Sequence, residues 1–285
     1  MPSRRNNRKP AKLWSYLLIV LLLGAAVVAA VIPDKLSTDK DCAADRVAAA
    51  DSDYGDLLLV ASPDGFDGRI LHYEGFTVAF NTEQHIPYYV TWTLTPEHTD
   101  GPYSRKDVDF RTDTNVEGCA TADDYRRSGF DRGHIAPAAD MKWSAQAMSD
   151  CHYFTNICPQ DKKLNTGAWN ALEKATRKWA QKFGTLYIVS GPITTDRITR
   201  HIGKSQVAVP ERFFKVIIAP EANPPMGIAF IMPNAYVDGG MQSTVTSIDN
   251  VETITDYDFF YNLPDDIENT VEAQSSLAAW NRRSN

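Results

Sequence analysis

The chain contains no glycine-rich phosphate loop and no HExxH pair, so nucleotide hydrolysis of the P-loop type and zinc proteolysis lack their defining residues. Its four cysteines, Cys42, Cys119, Cys151 and Cys158, form no CxxC or CxxH spacing, which argues against a structural zinc site. No internal repeat and no low-complexity block is present. Positive charge is also scarce: 29 Lys and Arg against 36 Asp and Glu give a formal net charge of −7. That sum argues against a nucleic-acid partner, because phosphate binding is driven by Lys and Arg. Its distribution argues differently. From Asp249 to the end there are eight acidic residues against two arginines, whereas Pro102–Lys182 holds thirteen basic residues against eleven acidic ones. The middle of the chain is mildly basic and the tail is acidic.

Charge is also missing from one long run. Arg4, Arg5, Arg8, Lys9 and Lys12 form a basic segment over residues 1–12, and Leu13–Pro33 then carries no charged residue. About 20 apolar residues match the core of a bilayer, and the flanking cations stay on the cytoplasmic side. The expectation is a single-pass transmembrane signal anchor over residues 13–33, with the remainder extracytoplasmic. The rival reading is a signal peptide cleaved near Ala25–Ala30, giving a secreted or periplasmic protein. Residues 34–56, small, polar and Ala-rich, read as a stalk, and residues 57–285 as one domain. An oxidising compartment would permit disulfides, and four cysteines allow three pairings.

Within the domain the apolar patterning is mixed. Ile70–Asn81, Pro87–Thr95, Tyr153–Ile157, Leu186–Ser190, Arg212–Ala219 and Gly227–Met232 read as strands. Ser144 is placed to cap a short helix over Ser144–Asp150. Thr166–Phe183 carries Ala168, Trp169, Leu172, Ala175, Trp179 and Phe183 near the helical period, and Gly184 follows as a stop. Asp265–Ser276 reads as a C-terminal helix. Without βαβ alternation, this is an α+β pattern. Pro96–Asn115 reads as a long charged loop, which in a compact domain is often functional.

Two clusters carry the chemistry. FDRGHIAPAADM (Phe130–Met141) sets Asp131, Arg132, Gly133 and His134 between two apolar residues, and Pro137 then ends any regular element. Gly133 allows close backbone approach or a positive φ, and a histidine at such a turn can be aimed into a cleft. The bland alternative is a satisfied surface histidine. The second cluster starts at Asn165, which local rules make an N-cap. Glu173 follows eight residues later, about 80° away around a regular helix. Arg177 lies four residues beyond, where an i,i+4 ion pair on a solvated face is the local reading.

Taken together, FDRGHIAPAADM, TNICPQ (Thr155–Gln160), LNTGAWNALE (Leu164–Glu173) and the closing DYDFFYNLPDDIE (Asp256–Glu268) resemble the DNA/RNA non-specific endonucleases, the ββα-metal nucleases. The resemblance spans roughly Ile70–Val271. It implies a central, mostly antiparallel sheet flanked by helices. It also implies hydrolysis of phosphodiester bonds in DNA, RNA or both, with little sequence specificity. By position, His134 matches the general base that activates water, and Asn165 the direct protein ligand of Mg²⁺, for which Mn²⁺ can substitute. Glu173 matches a residue that orients metal-bound water. Arg132 and Arg177 match arginines near the phosphate, and Asn156 a supporting residue. An upstream arginine is expected, and Arg105 and Arg111 both lie in the right loop. Cys158 departs from the family pattern and makes a disulfide with Cys151 conceivable. Mg²⁺ keeps several waters and needs few protein ligands, and contacts to phosphate read no base. The partner is nucleic acid, with the membrane through residues 13–33 and a homodimer left open. A membrane-anchored nucleic-acid-binding module without catalysis is the competing reading.

Overall fold

Arg212–Ala219 (RFFKVIIA) shows how the molecule is layered. Its odd and even positions both carry large side chains, so a strand made of it must be covered on both faces. In the computed structural model, which describes residues 57–63, 66–194 and 199–282, this strand lies within a seven-stranded sheet. We number its strands β1 (Arg69–Tyr73), β2 (Phe76–Asn81), β3 (Ile86–Leu94), β6 (Leu186–Ile193), β7 (Arg212–Ala219), β8 (Met226–Pro233) and β9 (Val245–Thr246), reserving β4 (Asp131–His134) and β5 (Ile157–Gln160) for a separate hairpin. The order is β9-β8-β7-β6-β3-β2-β1 and every pairing is antiparallel.

Phe213, Ile217, Ile228, Phe230, Ile188, Trp92 and Val78 face one core, while Phe214, Val216, Ile218, Ala229, Val189, Tyr89 and Ala79 face a second. The first core is closed by a long helix, α2 (Asn170–Phe183), through Leu172, Trp179 and Ala180. The second is closed by α3 (Ile248–Thr255) and α4 (Asp265–Glu272), through Ile248, Val251 and Val271. Each large apolar side chain buried this way stabilises the fold by about 1.5–3 kcal/mol.

β3 and β6 are neighbours in the sheet, yet residues 95–185 lie between them in sequence. That excursion contains the long loop, the short helix α1 (Ala145–Asp150), the β4–β5 hairpin and α2, all over the first core. The observed architecture is the expected α+β arrangement. Several boundaries differ from the sequence reading. Ile70–Asn81 is two strands broken by a tight turn at Gly75, where φ is +89°. The strand expected over Tyr153–Ile157 is a 3-10 turn at Phe154–Asn156 followed by β5. The C-terminal helix ends at Glu272, and a separate short helix spans Leu277–Asn281. The basic segment, the apolar span, the stalk and Cys42 lie outside the described residues.

Candidate active site

β4 is the strand DRGH itself. It pairs antiparallel with β5, setting Gly133 opposite Cys158 and His134 opposite Ile157. A Cβ at Gly133 would stand 2.4 Å from Gln160 Oε1 and 2.6 Å from Gln160 Cβ. Close approach, rather than a positive φ, is therefore why glycine is required here. Beyond His134 the chain is clamped by the buried Asn156, whose Nδ2 donates to Ala136 O and Cys151 O and whose Oδ1 accepts from Ala136 N, each at 2.9 Å. Trp169 Nε1 donates to His134 O at 3.3 Å. The His134 ring packs against Phe110 and, edge to face, against His152 at 4.9 Å. Burial, then His152 and Arg105, hold the His134 imidazole well below its ordinary pKa, so it is neutral at pH 7.

Asn165 is not an N-cap. Asp161 takes that place, accepting from Lys163 N, and the chain winds through a π turn at Asn165–Trp169, broken at Gly167, before α2 begins. Such turns concentrate at functional sites. The turn directs Asn165 towards the hairpin, where its Nδ2 donates to Asp131 Oδ2 at 2.9 Å. A carboxylate can only accept, so the amide is oriented with Oδ1 as the atom free to bind a cation. A neutral oxygen beside a carboxylate suits a hard cation such as Mg²⁺.

His134, Asn165, Thr166, Asn170, Glu173, Arg177 and Arg105 line one cleft of about 300 Å³. Beneath it lies a cluster of buried charges. Arg177 Nη1 bonds Asp140 Oδ1 at 2.8 Å, and Trp92 Nε1 donates to Asp140 Oδ2 at 3.2 Å. Arg177 therefore pairs across the fold and not with Glu173. Burial lifts the Glu173 carboxyl to about 7, against the pull of Lys215 and Arg177. Lys215 is fully buried, its Nζ 4.6 Å from the Trp169 ring and 5.0 Å from the Trp92 ring. Burial lowers its pKa, and Glu173 and Asp140 oppose that shift.

Four of the five residues singled out from the motifs thus meet in one cleft. The fifth, Arg132, stands on β4 with its guanidinium 5.4 Å from the Phe110 ring and its Nε buried without a partner. Of the two upstream arginines, Arg105 lines the cleft. Arg111 is committed elsewhere, to Ser149 at 2.8 Å, Asp150 at 3.7 Å and the face of Tyr153. Sequence reasoning named Asp131 without giving it a role, and missed Asp140, His152 and Lys215. A lone lysine in RFFKVIIA, in phase with Phe213 and Ile217, was the available signal for the last. Cys119, Cys151 and Cys158 are free thiols, so the conceivable Cys151–Cys158 bridge is not made.

Residues 53–266 match the family described as DNA/RNA non-specific endonuclease. The chain is 35% identical to mitochondrial endonuclease G of Homo sapiens over 67% of this chain and 69% of that one. It is 37% identical to mitochondrial endonuclease G of Bos taurus over 61% of this chain and 63% of that one, so it spans somewhat less than two thirds of the bovine protein. A crystal structure of an EndoG/EndoGI complex superposes with a TM-score of 0.69 at 25% identity, covering 80% of this chain and 99% of that one. These relatives overturn the location read from the N-terminal segment. They are mitochondrial nucleases, and among the described residues no helix is long and apolar enough to cross a membrane. The single-pass extracytoplasmic placement and the membrane partner are withdrawn accordingly. The motifs, the sheet and the family match over residues 53–266 agree: the chain belongs to the DNA/RNA non-specific endonucleases and is a metal-dependent nuclease acting on nucleic acid.

Proposed function

We propose that the chain is a Mg²⁺-dependent endonuclease that hydrolyses phosphodiester bonds of DNA, RNA or both with little sequence preference, His134 acting as general base. The observation that carries this reading is the convergence of a neutral imidazole, an oriented amide oxygen, a carboxyl and two arginines on one cleft. A base must accept a proton from water, and a histidine held deprotonated by burial is ready to do so at neutral pH. Asn165, steadied by Asp131, holds the metal through Oδ1, with Mn²⁺ able to replace Mg²⁺. The metal supplies stabilisation of the charge developing on phosphate and leaving oxygen. Glu173 accepts hydrogen bonds from water in the cleft and fixes its orientation. Arg105 and Arg177 contact phosphate oxygens, and Arg132, on the strand that carries His134, is a further arginine near the phosphate. All these contacts are to the backbone, which accounts for low sequence specificity.

Cleavage of plasmid DNA and of RNA, with and without Mg²⁺, tests the assignment. His134→Ala should abolish cutting while circular dichroism and melting stay those of the wild type; near-normal cutting would sink the mechanism. Asn165→Ala should raise the Mg²⁺ concentration for half-maximal rate by about tenfold or more, and an unchanged requirement removes Asn165 as the ligand.

A further inference from the structure

The cleft side of His134 accounts for only part of its surroundings. Behind it, Cys151 and His152 follow α1, and each of His134, Cys151 and His152 offers a ligand atom within 4.8 Å of the other two. All three are buried: His134 is 9% exposed, His152 1% and Cys151 0%. His152 Nδ1 lies 2.8 Å from Met148 O, which places the ring proton there and leaves the lone pair on Nε2. That Nε2 is buried without a partner, and so is Nε2 of His134. A backbone carbonyl fixing the far nitrogen of an imidazole is the support that metal-binding histidines ordinarily have. Two buried ring nitrogens without partners, beside a buried thiol whose Sγ lies 3.4 Å from His152 Nδ1 and 3.2 Å from Met148 O, are an uncompensated arrangement for a core.

From this geometry we infer that His134, Cys151 and His152 form a second metal site, selective for Zn²⁺ over Mg²⁺, whose occupation withdraws the general base and switches the nuclease off. The consequence for cutting rests on the reading of His134 as base; the site itself does not. One thiolate and two imidazoles are soft to borderline donors that suit Zn²⁺ and serve Mg²⁺ poorly. Zinc ligands at about 2.0–2.3 Å from the ion stand about 3.5 Å apart. The three atoms, no more than 4.8 Å apart, therefore need to close in by little more than about 1 Å at most, through side-chain rotation. On binding, the Cys151 thiol gives up its proton to solvent as the Zn–S bond forms, and each imidazole donates a lone pair and loses no proton. Zinc and proton compete for the thiol, so affinity rises with pH. The fourth position is left to water. His134 bound in this way has no lone pair to take a proton from the attacking water.

The experiment uses the full chain under reducing conditions, stripped of metal and titrated with Co²⁺, whose thiolate-to-metal absorption reports a Cys ligand without any turnover. Wild type should bind one Co²⁺ with that band, and Zn²⁺ should displace it while Mg²⁺ does not. Cys151→Ser keeps the volume and a donor to Met148 O, the bond the thiol makes at 3.2 Å. It should cut normally in Mg²⁺ alone, lose the band, and need at least about tenfold more Zn²⁺ for half inhibition. Absence of the band in wild type, or inhibition of Cys151→Ser at the wild-type Zn²⁺ concentration, overturns the site. If His134→Ala still cuts while the wild-type band is present, the reading of the base fails and the metal site survives.

Discussion

Gly133→Ala is the sharpest probe of how the hairpin sets the site. The added methyl would stand 2.6 Å from Gln160 Cβ, 2.4 Å from its Oε1 and 2.8 Å from its Cδ. A carbon–carbon contact needs about 3.5–4.0 Å. Gln160 Cβ is fixed to the β5 backbone, and Gln160 is fully buried, so rotation alone cannot clear the contact. The strands must part by about 1 Å. Overpacking of this kind costs about 1–3 kcal/mol, offset in part by the roughly 0.4–1 kcal/mol that alanine gains by restricting the unfolded chain. For a domain of this size each kcal/mol lowers Tm by about 2–4 °C. His134 is the residue after Gly133 on the same strand. A displacement of about 1 Å at a reacting group costs on the order of 10²-fold in rate. The expected signature is a loss of about 10²-fold in kcat/KM with a Tm lowered by only a few degrees. Adding Gln160→Gly, which removes these three atoms, should recover part of the rate. A Gly133→Ala variant with wild-type kcat/KM and Tm refutes the close-packing account.

Arg105→Ala should weaken binding on all sequences alike and reduce the slope of log K against log salt by about one, whereas Arg111→Ala should leave that slope unchanged. Measured on the same oligonucleotides, equal slopes for the two variants reverse the assignment. Because burial lifts Glu173 to about 7 while His134 is already neutral, the rate should rise as pH climbs through about 7. Glu173→Gln should be slower and lack that limb, and an unaltered pH profile contradicts the role. Glu272 is raised to about 9, first by burial and then by Glu252, Glu268, Asp249 and Asp258. Its folded value exceeds its unfolded one, so its stabilising contribution is present below about pH 4.3 and is lost as pH rises to about 9. Thermal melts of Glu272→Gln should therefore lie above wild type at about pH 9 and converge with it at acid pH; parallel curves reject the cause.

What could be read from the sequence divides along a physical line. Arg212–Ala219 was legible to the residue, because its apolar run and flanking prolines are local facts. The helix over Thr166–Phe183 was legible in its body and not in its first turn. N-cap rules gave Asn165 to the backbone, yet Asp161 satisfies the first amides, and the side chain of Asn165 answers to Asp131, 34 residues away. The same limit governs Arg177. Spacing offered it Glu173 four residues back, and the fold gives it Asp140 at 2.8 Å. A one-dimensional pattern lists possible partners; which of them wins depends on tertiary neighbours with better geometry in a drier place. Lys215 shows the complementary case, a charge whose strand was read correctly and whose facing Glu173 and Asp140 arrive from residues 42 and 75 positions upstream.

The net charge of −7 misleads for a structural reason. The tail acids sit on α3, α4 and the turns beside them, packed over the second core, while the cleft lies over the first, with the sheet between. Layers in contact with a sheet lie about 10 Å from it, so the acidic layer stands about 20 Å from the cleft, two Debye lengths at about 0.1 M salt. Its repulsion is therefore largely screened where substrate binds. The helix that supplies Glu173 and Arg177 also presents Lys174 and Lys178 to solvent, one turn apart and about 100° further round its axis. A polyanion approaching that face meets the local cations first, and the summed charge of the chain describes a surface it does not touch.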